Sequence, residues 1–297
     1  MRSLPSDGLK QALPYLALLG GILSLAIGNA FAKSLFPLVG ASGTTALRVG
    51  LAALVLMLVW RPWRFALSRA DAGRIALYGL VLGLMNLCFY LSLQTIPLGL
   101  AIAIEFSGPL TLALFHSRRP IHFLLVALAV AGLGLLLPIW KGIEGLDPVG
   151  VAYAAAAGLF WALYIICGKR LSHRHSGQSV ALGMTVAAVV ILPFGLASAG
   201  SSLLSPTVLG LGLVVALVSS ALPYSLEMFA LRTIPKRTFG IFLSGEPAVG
   251  ALAGLALLGE QLSLIQWLAI TAIILASVGA VLTTSPDEDT PAETPPA

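Results

Sequence analysis

Charged residues are scarce in this chain of 297 residues. They make up 10% of it, whereas soluble domains carry about 25%. Hydrophobic residues make up 58%, and apolar runs of about 20 residues, long enough to cross the hydrocarbon core of a bilayer, recur along the whole chain. This composition excludes a water-soluble globule and indicates a polytopic helical membrane protein.

Cysteine and catalytic motifs are also nearly missing. The two cysteines, Cys88 and Cys167, lie inside apolar segments, so neither a disulfide framework nor a CxxC metal site is available. The chain has no HExxH, no GxSxG and no P-loop. We therefore expect no enzyme, no metal and no cofactor, and uphill transport would draw on an ion gradient. The basic loops follow from membrane topology, so we expect no nucleic-acid partner.

Ten transmembrane helices are predicted from the apolar runs and the turn-rich breaks between them. Their predicted bounds are 14–32, 43–60, 74–93, 98–116, 121–139, 148–167, 179–197, 207–229, 238–258 and 263–283. The fold class is therefore an all-α integral membrane protein. Arginine and lysine concentrate in cytoplasmic loops, and a cytoplasmic N-terminus places 14 of them inside and only Lys33 and Lys141 outside. Both termini are predicted to be cytoplasmic.

An internal repeat divides the chain. Thr95-Ile96-Pro97 recurs 138 positions later as Thr233-Ile234-Pro235, and at the same offset Pro109 aligns with Pro247. Lys33 aligns with Lys169 at an offset of 136. Each copy contains five helices, an odd number, so the second copy enters the membrane inverted, which is typical of transporters with a site near the midplane.

Four parts of the chain follow from the repeat. They are a cytoplasmic N-terminus at 1–11, a first repeat at 12–140, a second repeat at 141–284 and a disordered acidic cytoplasmic tail at 285–297. The basic N-terminus and Ala30-Phe31-Ala32 also resemble a cleaved signal peptide. The repeat counts against cleavage, because cleavage would remove the first helix.

Four charged residues fall inside predicted helices, namely Arg48, Glu105, Glu227 and Glu246. A charge at the centre of a membrane helix costs about 3 kcal/mol on insertion scales and usually serves function. Glu105 and Glu246 lie near the middle of helices 4 and 9, which are repeat-equivalent. They could carry protons or bind an ammonium group, or they could form a structural ion pair with Arg48.

Three prolines interrupt the backbone hydrogen bonding of predicted helices, since each leaves the carbonyl four residues earlier without its helical donor. The prolines and these carbonyls are Pro109 with Glu105, Pro223 with Ser219, and Pro247 with Leu243. Free carbonyls at membrane depth are tolerated where protein or water in a cavity satisfies them. A plain proline kink is the alternative.

Polar stripes mark three helix faces that we expect to point into the bundle. They consist of Asn29 and Lys33 on helix 1, Asn86, Tyr90 and Gln94 on helix 3, and Ser220, Tyr224 and Glu227 on helix 8. Such side chains either contact a substrate or bond neighbouring helices. Glu227 could also be interfacial and paired with Arg232.

Several long stretches resemble a known family. AKSLFPLVGASGTTALR, FYLSLQTIPLGLAIAIEFSGPL, FHSRRP, ALPYSLEMFALRTIP and RTFGIFLSGEPAVGALAGLALLGE are similar to the EamA branch of the drug/metabolite transporter superfamily, and most of all to bacterial threonine/homoserine exporters. The resemblance spans residues 12–284. It implies an inner-membrane exporter of small neutral amino acids that exchanges them for protons by alternating access, with a cavity lined by helices 1, 3, 4, 6, 8 and 9.

The charges suggest how such a site would work. Glu105 and Glu246 would receive the substrate ammonium or the counter-proton in turn. The substrate carboxylate and hydroxyl would be oriented by the freed backbone groups and by Arg48, Asn29, Asn86, Tyr90 and Tyr224. The alternatives are an exporter of other metabolites or drugs, an intramembrane enzyme that uses the paired carboxylates, and a membrane scaffold or sensor.

Overall fold

The computed structural model describes most of the chain. The described residues are 6–64, 67–115, 120–136, 147–169, 176–231, 234, 239 and 242–283. Within them the regular structure is entirely helical. This confirms the predicted all-α class and agrees with the requirement that a chain in lipid satisfies its backbone hydrogen bonds internally.

Eleven α-helices are distinguished in this part of the chain. They are α1 (Ser6–Lys33), α2 (Phe36–Trp60), α3 (Arg69–Ser92), α4 (Leu98–Phe115), α5 (Pro120–Leu136), α6 (Pro148–Lys169), α7 (Ser176–Ala199), α8 (Pro206–Ala216), α9 (Leu222–Leu231), α10 (Glu246–Leu258) and α11 (Leu264–Thr283). Helix α2 begins at Phe36, and the predicted helix 2 at 43–60 corresponds to its longer part after a kink. It is interrupted at Gly40, whose φ of 69° suits glycine.

Five of these helices are long and apolar enough to cross a membrane, and five further apolar segments of 10–17 residues accompany them. Large apolar side chains cover the outer surface of the bundle, for example Leu58 on α2, Phe123 on α5 and Leu264 on α11. The interior instead contains many alanines and several buried polar residues. An apolar exterior around a partly polar interior suits a bundle surrounded by lipid.

Helices α8 and α9 are joined by a π-helical turn at Leu217–Ala221. The N–H of Leu222 donates to the carbonyl of Leu217, five residues earlier. Pro223 follows at once and has no N–H to donate, so the normal hydrogen-bond ladder cannot continue here. The sequence predicted one helix at 207–229, and π-turns inside such helices often mark functional sites.

The predicted helix 9 is not continuous, so the expectation of one helix over 238–258 is wrong. Ser244 and Gly245 form a turn, and α10 begins at Glu246. Pro247 lies in the first helical turn, where a missing N–H costs nothing. Glu246 is therefore at a helix N-terminus and not in the middle of a helix. The repeat-equivalent Pro109 lies inside the unbroken α4.

The helices pack through pairs that cross the two halves of the sequence. Helix α2 packs on α7, α3 on α6 and α7, α4 on α6 and α10, α1 on α9 and α10, and α5 on α11. Small residues allow these close contacts. At the α4–α6 crossing a Cβ on Gly108 would overlap the backbone of Gly158, and a Cβ on Gly158 would lie 2.6 Å from the carbonyl oxygen of Glu105. Backbone therefore meets backbone beside Glu105.

We expect Gly108→Ala to lower the thermal stability of the purified protein. The new methyl group would overlap the Gly158 backbone, and overpacking of this kind costs about 1–3 kcal/mol or more. Gly210→Ala is the matched control, because a Cβ there meets no described atom within 4 Å. The midpoints of thermal unfolding in detergent measure the difference. Equal midpoints for the two variants would show that the α4–α6 crossing is not tight.

Candidate functional site

The guanidinium of Arg48 lies at the centre of a buried polar cluster. Arg48 is on α2 and is only 4% exposed. Its Nη1 donates to Oδ1 of Asn86 at 2.8 Å, its Nη2 to the carbonyl of Ser219 at 2.8 Å, and its Nε to Oγ of Ser220 at 3.1 Å. The three acceptors are all neutral, and they come from α3 and from the π-turn between α8 and α9.

Tyr90 connects this cluster to α1. The Arg48 guanidinium carbon lies 5.2 Å from the centre of the Tyr90 ring, within cation–π range. The Tyr90 hydroxyl donates to Oδ1 of Asn29 at 3.1 Å. The amide nitrogen of Asn86 donates to the carbonyl of Leu82, which leaves its Oδ1 for Arg48. The predicted site residues Arg48, Asn29, Asn86 and Tyr90 are thus brought together.

The carbonyl of Ser219 illustrates what a proline can do at membrane depth. The sequence predicted that Pro223 would leave this carbonyl without a helical donor. In the structure it accepts the Nη2–H of Arg48, and both Ser219 and Ser220 are buried. A charge-assisted hydrogen bond of this kind is about twice as strong as a neutral one. The π-turn and the arginine therefore satisfy each other.

The two mid-membrane acids have a different environment. Glu105 on α4 and Glu246 on α10 are each 8% exposed. Among the described residues, neither carboxylate has a lysine, arginine or histidine nitrogen within 4.0 Å. The structure thus does not form the ion pair with Arg48 that the sequence left open. Glu105 still interacts electrostatically with Arg48. Glu246 interacts electrostatically with Glu227 and with Glu105.

Backbone geometry differs between the two acids. The carbonyl of Glu105, which Pro109 leaves without its helical donor, lies against Gly158 on α6. Glu246 instead occupies the first turn of α10, where the carbonyl of Gly245 accepts the N–H groups of Ala248 and Val249. A carboxylate in the first turn is favoured by the helix dipole. One acid is therefore on an intact helix and the other at the start of one.

Glu227 is half-buried on α9. A Cβ on Gly21 of α1 would lie 3.3 Å from its Cγ, so the side chain packs close to α1. The alternative partner Arg232 lies outside the described residues. The predicted site residue Tyr224 is on α9, but its side chain also lies outside the described part. The described residues contain no group of His, Cys, Asp and Glu suited to a metal ion.

A cleft of about 370 Å³ is lined by none of these polar groups. It is lined by Ile27, Ala30, Phe31, Ser34, Val214, Val218, Leu257 and Leu258. Ser34 is its only polar residue, so the cleft has almost nothing with which to recognise a zwitterion. The polar cluster and the acids are the better candidate for a site.

Sequence reasoning missed Glu260, which forms a salt bridge of 2.6 Å with Lys33. Its second oxygen accepts the backbone N–H of Leu98 at 2.8 Å. Glu260 lies between α10 and α11, in a predicted outer break, and Lys33 is one of two basic residues predicted outside. An acid in an outer break opposite a scarce outer lysine was the signal that could have found this pair.

Comparison with known proteins gives close relatives. Residues 148–282 match the EamA-like transporter family. The chain is 50% identical over 271 residues to the threonine/homoserine exporter RhtA of Salmonella typhimurium strain LT2, covering 91% of this chain and 92% of the relative. The Escherichia coli K12 exporter RhtA is 49% identical over the same share. These matches confirm the resemblance seen in the sequence and belong to exporters, not to enzymes.

More distant matches agree with this picture. An uncharacterized inner membrane transporter of Escherichia coli K12, YedA, is 25% identical over 192 residues, which is 62% of each chain. A crystal structure with 22% sequence identity has a TM-score of 0.56 and covers 90% of this chain and 95% of the other. At that identity the likeness concerns the fold alone.

We expect Arg48→Lys to lower the unfolding midpoint even though it keeps the charge. A lysine lacks the planar fork that reaches three acceptors at once, and each buried acceptor left unsatisfied costs about 1–3 kcal/mol. Arg74→Lys is the control, because Arg74 is exposed and, among the described residues, pairs only with Asp71 on its own helix. Thermal unfolding in detergent would measure both. A midpoint for Arg48→Lys that matches the control would contradict the role of the three bonds.

Proposed function

Because the chain belongs to the EamA-like transporter family, we propose that it exports threonine, homoserine and similar small neutral amino acids across the bacterial inner membrane. The observation that carries this proposal is the sequence identity of 50% and 49%, over 91% of the chain, to threonine/homoserine exporters. The buried polar cluster around Arg48 gives the proposal a physical basis. Protons are the proposed counter-ion, since the sequence contains no ATP-binding motif.

The proposed architecture has ten membrane spans, with both termini in the cytoplasm and inverted repeats at 12–140 and 141–284. The packing supports it, because helix contacts come in repeat-related pairs. The repeat relates α1 to α6, α2 to α7, α3 to α8 and α9, α4 to α10, and α5 to α11. The α3–α6 contact therefore corresponds to α1–α9, the α4–α6 contact to α1–α10, and the α3–α7 contact to α2–α8. The contacts α2–α7, α4–α10 and α5–α11 correspond to themselves. Such symmetry would allow two mirror-related states that open alternately to each side.

In this proposal Arg48 holds the substrate carboxylate. A guanidinium has five N–H donors, and protein acceptors among the described residues occupy three of them. A buried cation is costly unless it is paired, and the described part of the chain gives Arg48 no carboxylate within 4.0 Å. The substrate carboxylate would complete the pairing. Asn29, Asn86, Tyr90 and Tyr224 would surround the rest of the molecule.

Glu105 and Glu246 are the proposed sites for the ammonium group and the counter-proton. Both carboxylates are buried without a described cation at contact distance, so each needs a proton or a ligand cation to be neutralised. A substrate ammonium and a proton would then compete for the same groups. That competition couples export to proton entry. Glu227, which interacts electrostatically with Glu246, would extend the proton path toward the predicted cytoplasmic side.

We expect Glu105→Gln to reduce proton-driven threonine flux by roughly tenfold or more, because losing one charge-assisted interaction removes about 1.5–3 kcal/mol. The measurement is threonine flux into proteoliposomes with an imposed pH gradient. Asp71→Asn is the control, since Asp71 is an exposed acid at the start of α3. Unchanged proton-driven flux in Glu105→Gln would remove Glu105 from the coupling mechanism.

Counterflow with a panel of solutes separates amino-acid export from export of other metabolites or drugs. We expect labelled threonine to exchange with threonine and homoserine and not with hydrophobic cations. Such cations have no carboxylate with which to pair Arg48, so they would leave its buried charge uncompensated. Competition by hydrophobic cations, without competition by homoserine, would favour the broader drug-export alternative.

A further inference from the structure

Three segments of the chain meet at the turn between α3 and α4. The Nζ of Lys33, the last residue of α1, lies 3.5 Å from the carbonyl oxygen of Ile96. The same Nζ lies 2.6 Å from Oε1 of Glu260, and Oε2 of Glu260 accepts the N–H of Leu98 at 2.8 Å. We call the side chains of Lys33 and Glu260, with the backbone of Ile96 and Leu98, the outer latch.

A further acid holds the same turn from the side of α6. Asp147 precedes α6, and its Oδ2 accepts the N–H of Gly150 at 3.0 Å. Hydrogen bonds from the Thr95 side chain and then from the Gly150 backbone lower the pKa of Asp147 below its usual value. The carboxylate therefore remains ionised, and these bonds persist, until the pH falls through that lowered value. The α3–α4 turn is thus bound from α1, α6 and the α10–α11 connection.

The latch differs from an ordinary surface ion pair. The other ion pair in the described part of the chain joins Arg74 to Asp71 on one helix, with side chains 57% and 42% exposed. The side chains of Lys33 and Glu260 are only 24% and 13% exposed, and the two residues are 227 positions apart in the chain. Shielding from water and salt strengthens such a pair. The Lys33–Glu260 pair links separate parts of the bundle, whereas the Arg74–Asp71 pair lies within one helix.

Two residues of the latch, Lys33 and Leu98, lie on helices that carry proposed site residues. Lys33 is four residues after Asn29 on α1, so the two side chains are on one face, a single turn apart. Leu98 is the first residue of α4, and Glu105 follows it by seven residues, about two turns. Movement of either helix on substrate binding would therefore act directly on the latch.

We propose that the outer latch is the gate that closes the site toward the outer side of the membrane. It is closed in this structure, and it must open to release substrate outward. The inference rests on the proposed export function. Its acid is not repeated on the other side, because the repeat-equivalent of Lys33 is again a lysine, Lys169, whereas that of Glu260 is His122. The repeat therefore does not duplicate the lysine–glutamate pair.

Cysteine labelling tests the gate without requiring transport. Cys88 and Cys167 are replaced by serine, and Ala101→Cys supplies a probe one turn inside α4, at a position that is fully buried. We expect Lys33→Met and Glu260→Gln each to raise the rate at which the introduced cysteine reacts with a water-soluble maleimide in nanodiscs by roughly tenfold or more. The labelling rate follows the fraction of molecules with an open gate, and a roughly tenfold rise in that fraction needs only a small shift in free energy. Lys33→Arg should keep the slow rate. Arg74→Met, which breaks the exposed pair, should also keep it.

A glycine offers a second way to open the latch without changing any charge. A Cβ on Gly254 would overlap Oε2 of Glu260. Because that oxygen is the end of a flexible side chain, Gly254→Ala should displace it and raise the labelling rate as Glu260→Gln does. Gly210→Ala, at an open position on α8, should not.

The outcomes separate the gate from the export function. Unchanged labelling in Lys33→Met, Glu260→Gln and Gly254→Ala, with the variants monodisperse and folded, would overturn the gate. Effects of Lys33→Met and Glu260→Gln that multiply in the double variant would overturn it too, because two halves of one bond can be broken only once. Raised labelling in the variants, with no threonine counterflow by the unmodified chain, would support the gate and reject the proposed substrate.

Discussion

A guanidinium buried in an apolar interior has to be hydrogen-bonded, and meeting this requirement for Arg48 holds three parts of the bundle together. Its bonds run from α2 to Asn86 on α3 and to the π-turn that contains Ser219 and Ser220. That turn exists because Pro223 cannot donate to the helical ladder. A local defect in one helix and a costly charge in another thus compensate each other. The same guanidinium lies over the ring of Tyr90, and the Tyr90 hydroxyl donates to Asn29, which connects α1 to the cluster.

The acids give the interior the opposite character. Arg48 is surrounded by neutral acceptors, whereas Glu105 and Glu246 are buried without a cation at contact distance among the described residues. Groups that can carry charge of either sign are therefore present and separated. A zwitterion has a carboxylate that could pair with Arg48 and an ammonium group that could pair with Glu105 or Glu246. Its binding would therefore neutralise groups that the protein keeps apart. A proton could replace only the ammonium half. This difference is the physical basis of the proposed exchange.

Much of this arrangement could be predicted from the sequence, because the membrane simplifies the problem. Apolar runs predicted most helices within a few residues. Of the polar residues at helical spacing, Asn86 and Tyr90 contact Arg48, and Asn29 contacts Tyr90. The break before Glu246 could not be predicted in the same way. Pro109 follows Ser-Gly directly inside an intact helix, whereas one extra residue, Glu246, separates Ser-Gly from Pro247. Whether a proline bends or breaks a helix depends on what packs against it, here Gly158 for α4, and sequence periodicity carries no record of that contact.

The proposed gate and the buried cluster differ in a way that suits their roles. Arg48 is 4% exposed, so separating it from its acceptors would leave an unpaired buried charge and cost several kcal/mol. Lys33 and Glu260 retain some exposure, so water can solvate both ions once they part, and opening costs correspondingly less. Alternating access requires closures that hold and still release within the turnover of the protein. A half-shielded ion pair at the end of α1 meets both conditions, which a buried guanidinium with three hydrogen bonds would not.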